Sequence, residues 1–79
     1  MHGRVIAAKH NNKLLIVCHH DGFSIVEMSG IYADIGDAVH GCFGLCGKCA
    51  IDNTSTGRRK INAVVHGTFK NLESALHSM

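Results

Sequence analysis

The pair Asp21 and Gly22 separates two runs of β-prone residues and restricts the fold more than any other feature of the sequence. The first run, residues 14–19 (LLIVCH), is almost continuously apolar, and the second covers residues 23–28 (FSIVEM). An Asp-Gly pair between two such runs is the strongest short-range indication of a β-hairpin. A continuous apolar run is typical of a strand that is covered on both faces. The sequence therefore predicts an antiparallel hairpin whose first strand is buried on two sides.

Similar short runs, bounded by turn residues, recur along the chain. Residues 3–9 (GRVIAAK) are followed by Asn11 and Asn12, and asparagine tolerates the left-handed backbone of a tight turn. In residues 38–43 (AVHGCF), Val39 and Phe43 are expected to share one face of a strand. The predicted strands are residues 3–9, 14–19, 23–28, 38–43, 49–53 and 60–68, with a loop over residues 29–37 and a polar connection over residues 54–59.

Beyond residue 69 the apolar period changes from that of a strand to that of a helix. Leu72, Ala75, Leu76 and Met79 recur at the spacing of one helical face, and Asn71 is a suitable N-cap. A helix this short is marginal by itself, so we expect its apolar stripe to dock on the sheet.

The length of 79 residues predicts a single domain, residues 1–79, with a thin core, since a chain of this size buries only about 60% of its unfolded surface. Close-spaced short strands followed by one helix predict a mainly β fold. We expect a small antiparallel, OB-like β-barrel of five or six strands with a short C-terminal helix. Closing the barrel would hide the strand edges.

Composition argues against several classes of function. The formal net charge is +2, which is too small to imply a polyanionic partner by itself. No apolar run approaches the roughly 18 residues that cross a bilayer, and the first residues, MHGRVIAAKH, lack a secretory pattern. We therefore expect a cytoplasmic protein without a membrane partner.

The sequence predicts that the chain is not an enzyme. His19, His20, Asp21 and Glu27 lie on the predicted hairpin and are the best candidates for a pair of histidine and carboxylate. No serine or cysteine nucleophile is tied to them by spacing, and adjacent histidines beside a turn aspartate are more typical of a surface.

Three of the four cysteines lie in residues 40–49 (HGCFGLCGKC), and free thiols, metal ligands and disulfides are all open interpretations. Cys42, Cys46 and Cys49 have a spacing that resembles the iron-sulfur signature of radical enzymes using S-adenosylmethionine. Such enzymes need a large barrel that a chain of this length cannot build. A thioredoxin-like redox site is not expected either, because no helix follows Cys49.

Zinc is the metal that this cysteine spacing favours. Cys42, Cys46 and Cys49 would supply three ligands. The fourth would come from Cys18, His19, His20 or His40. No other cofactor is expected. The alternative is a plain hairpin with its loop at residues 44–47, in which Cys42 faces Cys49 and Cys46 lies at the tip. Cys18 would then be a small buried apolar residue.

Arg58, Arg59 and Lys60 follow a Thr-Ser-Thr-Gly stretch, and this combination can contact phosphate through charge and through hydroxyl or backbone donors. A solvated turn is the simpler alternative. Phe23 and Tyr32 are the aromatic residues best placed to be exposed, and OB-type barrels bind single strands by combining basic grooves with stacking aromatics.

The segments GRVIAA, HDGFSIVEM, ADIGDAVHG and IDNTSTG, in this order, resemble a group of short bacterial proteins usually described as hypothetical. Residues 35–39 (IGDAV) also look like a turn that recurs in RNA-binding OB-type barrels, where glycine allows the bend and aspartate holds it. The resemblance implies a small barrel, and no active site is carried over.

We therefore expect a binding module for single-stranded nucleic acid, RNA in particular, using Arg58, Arg59, Lys60, Phe23 and Tyr32. A zinc-binding protein that uses the cysteines is the first alternative. A protein-protein adaptor that forms a homodimer is the second.

Overall fold

The computed structural model describes residues 1–79 as a closed antiparallel β-barrel of six strands followed by one short helix. Around the barrel the strand order is β1-β2-β3-β6-β5-β4, and β4 pairs with β1 to close the ring. The predicted mainly β barrel with a C-terminal helix is confirmed. The elements are β1 (His2–Lys9), β2 (Leu14–His19), β3 (Gly22–Met28), β4 (Ala38–His40), β5 (Gly47–Asn53), β6 (Arg58–Phe69) and α1 (Leu72–Ser78).

The predicted hairpin joins β2 to β3. His19 pairs with Gly22, so the two-residue turn consists of His20 and Asp21, one position earlier than the Asp-Gly pair itself. Gly22 has a φ of 135°, and a Cβ atom there would collide with the carbonyl oxygen of Phe69. Glycine is therefore required at this position by both the backbone conformation and the close approach of β6.

The barrel closes with the help of three irregularities in strand pairing. A bulge places an extra residue in one strand of a pair, which bends and twists the sheet and makes closure of six short strands possible. The irregularities lie between Val5 and Ala7 in β1, between Ile25 and Val26 in β3, and between Ile51 and Asn53 in β5.

The apolar run of β2 packs into two separate cores. Leu15 and Val17 point into the barrel and belong to its cluster of 12 buried residues. Ile16 points outward and joins a smaller cluster with Ile25 and Ala75, beneath the helix. The helix packs on β3 and β6, and Ala75 reaches the outer side of Ile16. The expectation that β2 is covered on both faces is confirmed, because Leu15, Ile16 and Val17 are all fully buried.

The helix begins as expected but docks with only part of its apolar stripe. The side chain of Asn71 accepts a hydrogen bond of 2.8 Å from a backbone N–H in the first turn. Ala75 is fully buried and Met79 is half-buried, whereas Leu72 and Leu76 remain 37% and 47% exposed. The small side chain of Ala75 forms the contact with the sheet, so the neighbouring leucines lie at the margin of that contact. No helix of the structure has the length and apolar content to span a membrane.

The fourth strand is shorter than predicted. It ends at His40, whereas the sequence predicted a strand over residues 38–43. Phe43 nevertheless points into the barrel core and is fully buried, as its alternation with Val39 predicted. Its carbonyl oxygen accepts hydrogen bonds from side-chain hydroxyls of β3 and β6, at 2.6 and 3.0 Å, and is therefore not available to pair with β5.

The predicted pairing of Cys42 with Cys49 is wrong. His40 pairs with Asp52 and sets the register between β4 and β5, and the ladder does not extend to Cys42. Cys49 instead lies opposite Ala63 of β6.

Candidate nucleic-acid interface

Three connections meet at one end of the barrel. They are the β1–β2 turn, the long β3–β4 loop and the β5–β6 turn, and together they form a shallow groove of about 610 Å³ that we call the three-loop groove. The residues that line it are Asn12, Ile31, Tyr32, Ala33, Asp34, Asp37, Thr56, Gly57 and Arg58.

Asn53, the last residue of β5, holds this end together. It is 1% exposed, and its side-chain nitrogen donates to the carbonyl oxygen of Tyr32 at 3.0 Å and to the carboxylate of Asp37 at 2.9 Å. Its side-chain oxygen accepts from the backbone N–H groups of Ser55 and Thr56, at 3.0 and 3.2 Å. One buried amide therefore sets the relative position of the β3–β4 loop and the β5–β6 turn.

The long loop turns as predicted. Gly36 adopts a φ of 97°, which glycine allows, and its N–H donates to the carbonyl oxygen of Val5 on β1. The carboxylate of Asp37 accepts from the backbone N–H of Asp34 at 2.9 Å. The groove therefore has a hydrogen-bonded frame.

Within this frame, Arg58 lies over the ring of Tyr32. Its guanidinium carbon is 4.2 Å from the ring centroid, a cation–π arrangement. Tyr32 packs against the barrel core, and Gly30 lies so close that a Cβ atom there would be 2.8 Å from the ring. The ring is thus held in place, and the exposed Arg58 places a positive charge over it.

The basic run lies at the start of β6 and not in the polar connection where the sequence placed its first two residues. Arg58, Arg59 and Lys60 are all exposed. Arg59 and Lys60 lie within the β5–β6 irregularity, and Lys60 has a φ of 57° and donates its backbone N–H to Asp52 at 2.9 Å. The bulge lets two consecutive basic side chains face solvent.

No carboxylate neutralises these three cations. The two ion pairs of the structure join His20 to Asp21 and His66 to Glu27, and neither involves a lysine or an arginine. The basic end of β6 is therefore available to an external anion.

The groove also contains two carboxylates. Asp37 is engaged by Asn53, as described, and Asp34 accepts a hydrogen bond from the side chain of Asn12 at 3.1 Å. The lining of the groove therefore offers carboxylate hydrogen-bond acceptors beside the cation of Arg58.

Phe23 does not join this site. It lies at the start of β3, opposite Cys18 and Phe69, at the far end of the strand from the β3–β4 loop. It is half-buried and packs against the cluster beneath the helix. Among the residues predicted to bind nucleic acid, the structure therefore brings Tyr32 together with the basic run and leaves Phe23 apart.

The cysteines predicted to bind zinc are not gathered into one cluster. Cys42 and Cys46 are exposed and Cys18 and Cys49 are half-buried, and all four are free thiols. The thiols of Cys46 and Cys49 each donate to a backbone carbonyl oxygen, at 3.7 and 3.6 Å. No group of three or more His, Cys, Asp or Glu side chains is placed to hold a metal ion. His40, the remaining predicted ligand, lies against His2, a residue that the sequence analysis did not single out.

A buried polar network anchors the connection that carries the cysteines. His19, 8% exposed, accepts at Nδ1 from the backbone N–H of Asp21 at 3.3 Å, so its Nε2 carries the proton and donates to the hydroxyl of Ser24 at 2.6 Å. Ser24 in turn donates to the carbonyl oxygen of Phe43. Burial lowers the pKa of His19 from its ordinary 6.5, against a smaller opposing effect of Asp21, and the neighbouring His20 lowers it slightly further.

Sequence reasoning missed Asn53 as the organiser of the groove. The asparagine directly before Thr-Ser-Thr-Gly is a turn signal that could have indicated it, because asparagine side chains bond backbone groups two and three positions later.

No protein-family model matches the chain, and neither a curated protein nor a solved structure matches it. The class that the structure defines is a six-stranded closed barrel with a groove at one end, beside which the basic run begins β6.

Proposed function

We propose that this barrel binds single-stranded nucleic acid, RNA in particular, in the three-loop groove. The observation that carries the proposal is the guanidinium of Arg58, whose carbon lies 4.2 Å from the centroid of the Tyr32 ring and which has no carboxylate partner in an ion pair. Guanidinium planes and aromatic rings are the surfaces on which unpaired bases stack.

The stack provides a platform for one base. Tyr32 is supported from below by the core and Gly30, so a base would stack on the outer face of Arg58 or replace it on the ring. Stacking of this kind contributes about 1–3 kcal/mol per base and requires no particular base identity.

Phosphates would lie along the start of β6. Arg59 and Lys60 continue the positive charge away from the stack, and both are exposed. The net charge of +2 is small, so the attraction depends on this local cluster and not on the charge of the whole chain. Asp34 and Asp37 repel phosphate from their part of the groove and can accept hydrogen bonds from base amino groups. The charges therefore favour one orientation, with the bases towards Asp34 and Asp37 and the phosphates along the start of β6.

The position of the groove supports the same function by analogy. OB-type barrels bind oligonucleotides beside the loop between their first two strands and the loop between their last two. Here the corresponding β1–β2 and β5–β6 turns both line the groove, through Asn12 and Thr56. The analogy concerns the placement of loops and adds to the geometry of the stack.

The test is fluorescence anisotropy with a short labelled single-stranded RNA, titrated at several salt concentrations. Binding that weakens with salt is expected, and Tyr32→Leu should weaken it about tenfold while Tyr32→Phe, which keeps the ring, should not. Lys70→Ala, which removes an exposed lysine outside the groove, is the matched control. Absence of binding at low salt would overturn the proposal.

A further inference from the structure

Asp34 and Asp37 each use one carboxylate oxygen to hold the three-loop groove together. Oδ1 of Asp34 accepts from the backbone N–H of Ile35 at 2.8 Å and from the side chain of Asn12 at 3.1 Å. Oδ2 of Asp37 accepts from the backbone N–H of Asp34 and from the side-chain nitrogen of Asn53, both at 2.9 Å. A carboxylate oxygen that accepts from two donors has used both of its lone pairs. These two oxygens therefore belong to the frame of the groove.

The other oxygen of each carboxylate has no partner in the protein. Oδ2 of Asp34 and Oδ1 of Asp37 take part in no hydrogen bond, and neither residue belongs to an ion pair. Asp34 is exposed. Asp37 is half-buried, and because no buried side-chain oxygen lacks a partner, its unpaired oxygen also reaches solvent. The groove thus offers two charged acceptors on neighbouring side chains.

These acceptors lie beside the pair of Tyr32 and Arg58. The side-chain nitrogen of Asn53 donates both to the carboxylate of Asp37 and to the carbonyl oxygen of Tyr32, at 2.9 and 3.0 Å. One carboxylate therefore adjoins the backbone of the residue whose ring lies under the guanidinium. Both carboxylates line the same groove as this pair. A base that stacks on the pair would therefore lie in the same groove as Asp34 and Asp37.

The four RNA bases differ in what they offer to a carboxylate. Guanine presents two adjacent donors on its Watson–Crick edge, the N1–H and the N2 amino group. Cytosine and adenine each present one amino group beside a ring nitrogen that accepts, and uracil presents one N–H between two carbonyl oxygens. A carboxylate only accepts, so it is attracted to a pair of donors and repelled by the lone pairs of a carbonyl oxygen or a ring nitrogen. Guanine is therefore the base whose edge fits two charged acceptors.

We propose that the three-loop groove selects guanine among the four bases, with Asp34 and Asp37 accepting from its N1–H and its N2 amino group. This inference rests on the proposed binding of single-stranded RNA in the same groove. Arg58 supports the same choice, because a base that replaces it on the Tyr32 ring frees its guanidinium to donate to O6 and N7 of guanine, the commonest specific contact of arginine with a base. A good bidentate contact favours the matching base by roughly 5- to 150-fold.

The test compares four labelled oligouridines that differ at one internal position, which holds guanine, adenine, cytosine or uracil. Fluorescence anisotropy with the complete chain at low salt should give the tightest binding for guanine and the weakest for uracil, with affinities that differ by about fivefold or more. Equal affinities for the four would overturn the selection of guanine and leave the proposed binding of RNA intact. Absence of binding to all four would overturn both.

Asp34→Asn reverses the hydrogen-bonding character of one unpaired atom and keeps the shape of the side chain. The amide retains an oxygen for Ile35 and Asn12 and places an NH₂ group, which donates, where the unpaired oxygen was. The ratio of guanine to uracil affinity should therefore fall about threefold or more. Asp21→Asn, which removes the same charge from an exposed position of the β2–β3 turn, is the matched control and should keep the ratio. A ratio that survives both in Asp34→Asn and in Asp37→Asn would overturn the role of the carboxylates.

Inosine in place of guanine tests the N2 amino group from the side of the RNA. Inosine keeps the N1–H, O6 and N7 of guanine and lacks only this amino group, so it should bind the original chain more weakly than guanine does. Asp34→Asn should remove most of this difference. Equal binding of inosine and guanine by the original chain would overturn the pairing of two donors with two carboxylates and would leave the selection to Arg58.

Discussion

The two ends of the barrel are held together by different kinds of buried polar side chain. At the groove end, Asn53 ties the β3–β4 loop to the β5–β6 turn. At the opposite end, which we call the cysteine end (residues 20–21 and 41–46), His19 and Ser24 hold the carbonyl oxygen of Phe43. Every buried side-chain nitrogen and oxygen has a hydrogen-bond partner, so both frames are complete.

The difference lies in how each frame responds to protons. Asn53 is a neutral amide that donates and accepts at any ordinary pH. His19 keeps both of its hydrogen bonds only while Nδ1 is unprotonated and can accept from the N–H of Asp21. The groove end should therefore keep its shape across a wide pH range, whereas the cysteine end should loosen in acid. Four predictions test this comparison.

The largest effect is expected for Asn53→Ala. The change leaves partners of a fully buried amide without hydrogen bonds, and we expect the free energy of unfolding to fall by about 2–4 kcal/mol. Urea unfolding measures this loss. Asn62→Ala, at an exposed position of β6, is the control and should change stability by less than about 0.5 kcal/mol. Equal effects of the two changes would show that the groove end does not depend on Asn53.

The double variant Arg58→Ala with Arg59→Ala tests whether the two arginines beside the three-loop groove bind the RNA. It should weaken single-stranded RNA binding at least tenfold and reduce the slope of log affinity against log salt by about 1.4, the value for two lost phosphate contacts on a single strand. Stability should stay within about 0.5 kcal/mol, because both side chains are exposed. A salt slope that does not change would place the phosphates elsewhere on the barrel.

The pH dependence of stability tests the cysteine end. In the folded chain the pKa of His19 lies below 6.5, chiefly because of burial, whereas an unfolded chain titrates near that value. Below pH 6.5 the unfolded state therefore binds more protons, and this contribution to stability is lost as pH falls, at no more than about 1.4 kcal/mol per pH unit. Urea unfolding at neutral and mildly acid pH measures it. His19→Gln should reduce the slope, and an unchanged slope would assign the dependence to other histidines.

The smallest effect is expected for Cys42→Ser with Cys46→Ser. Both side chains are exposed, so stability should change by less than about 0.5 kcal/mol. Elemental analysis of the original chain and of the double variant, both purified without chelators, should show the same zinc content. A large drop in stability together with loss of zinc would establish the cysteine site that the spacing suggested.

Much of the fold could be predicted from local patterns. The Asp-Gly pair indicated the β2–β3 hairpin, the two asparagines indicated the turn after β1, and Asn71 indicated the start of the helix. These features depend on residues close together in the chain, whose preferences act before any tertiary contact forms.

The register of β4 against β5 could not be predicted in this way. The spacing of Cys42 and Cys49 suits a simple hairpin, but the carbonyl oxygen of Phe43 is taken by hydroxyls from β3 and β6, which come from distant parts of the sequence. The same limit applies to the site. The basic run and Tyr32 were identifiable as candidates, whereas their contact depends on Asn53 joining two connections that are far apart in the chain.

The sequence by itself determined the kinds of element and their order, because hydrophobic period, turn residues and helix caps act over a few positions. Only the tertiary structure decided which side chains meet. Closure of the barrel placed Tyr32 under Arg58 and His2 beside His40, and it separated the cysteines that the sequence had placed together. Pairing between strands fixes such neighbours, since a shift of one residue turns every side chain to the other face.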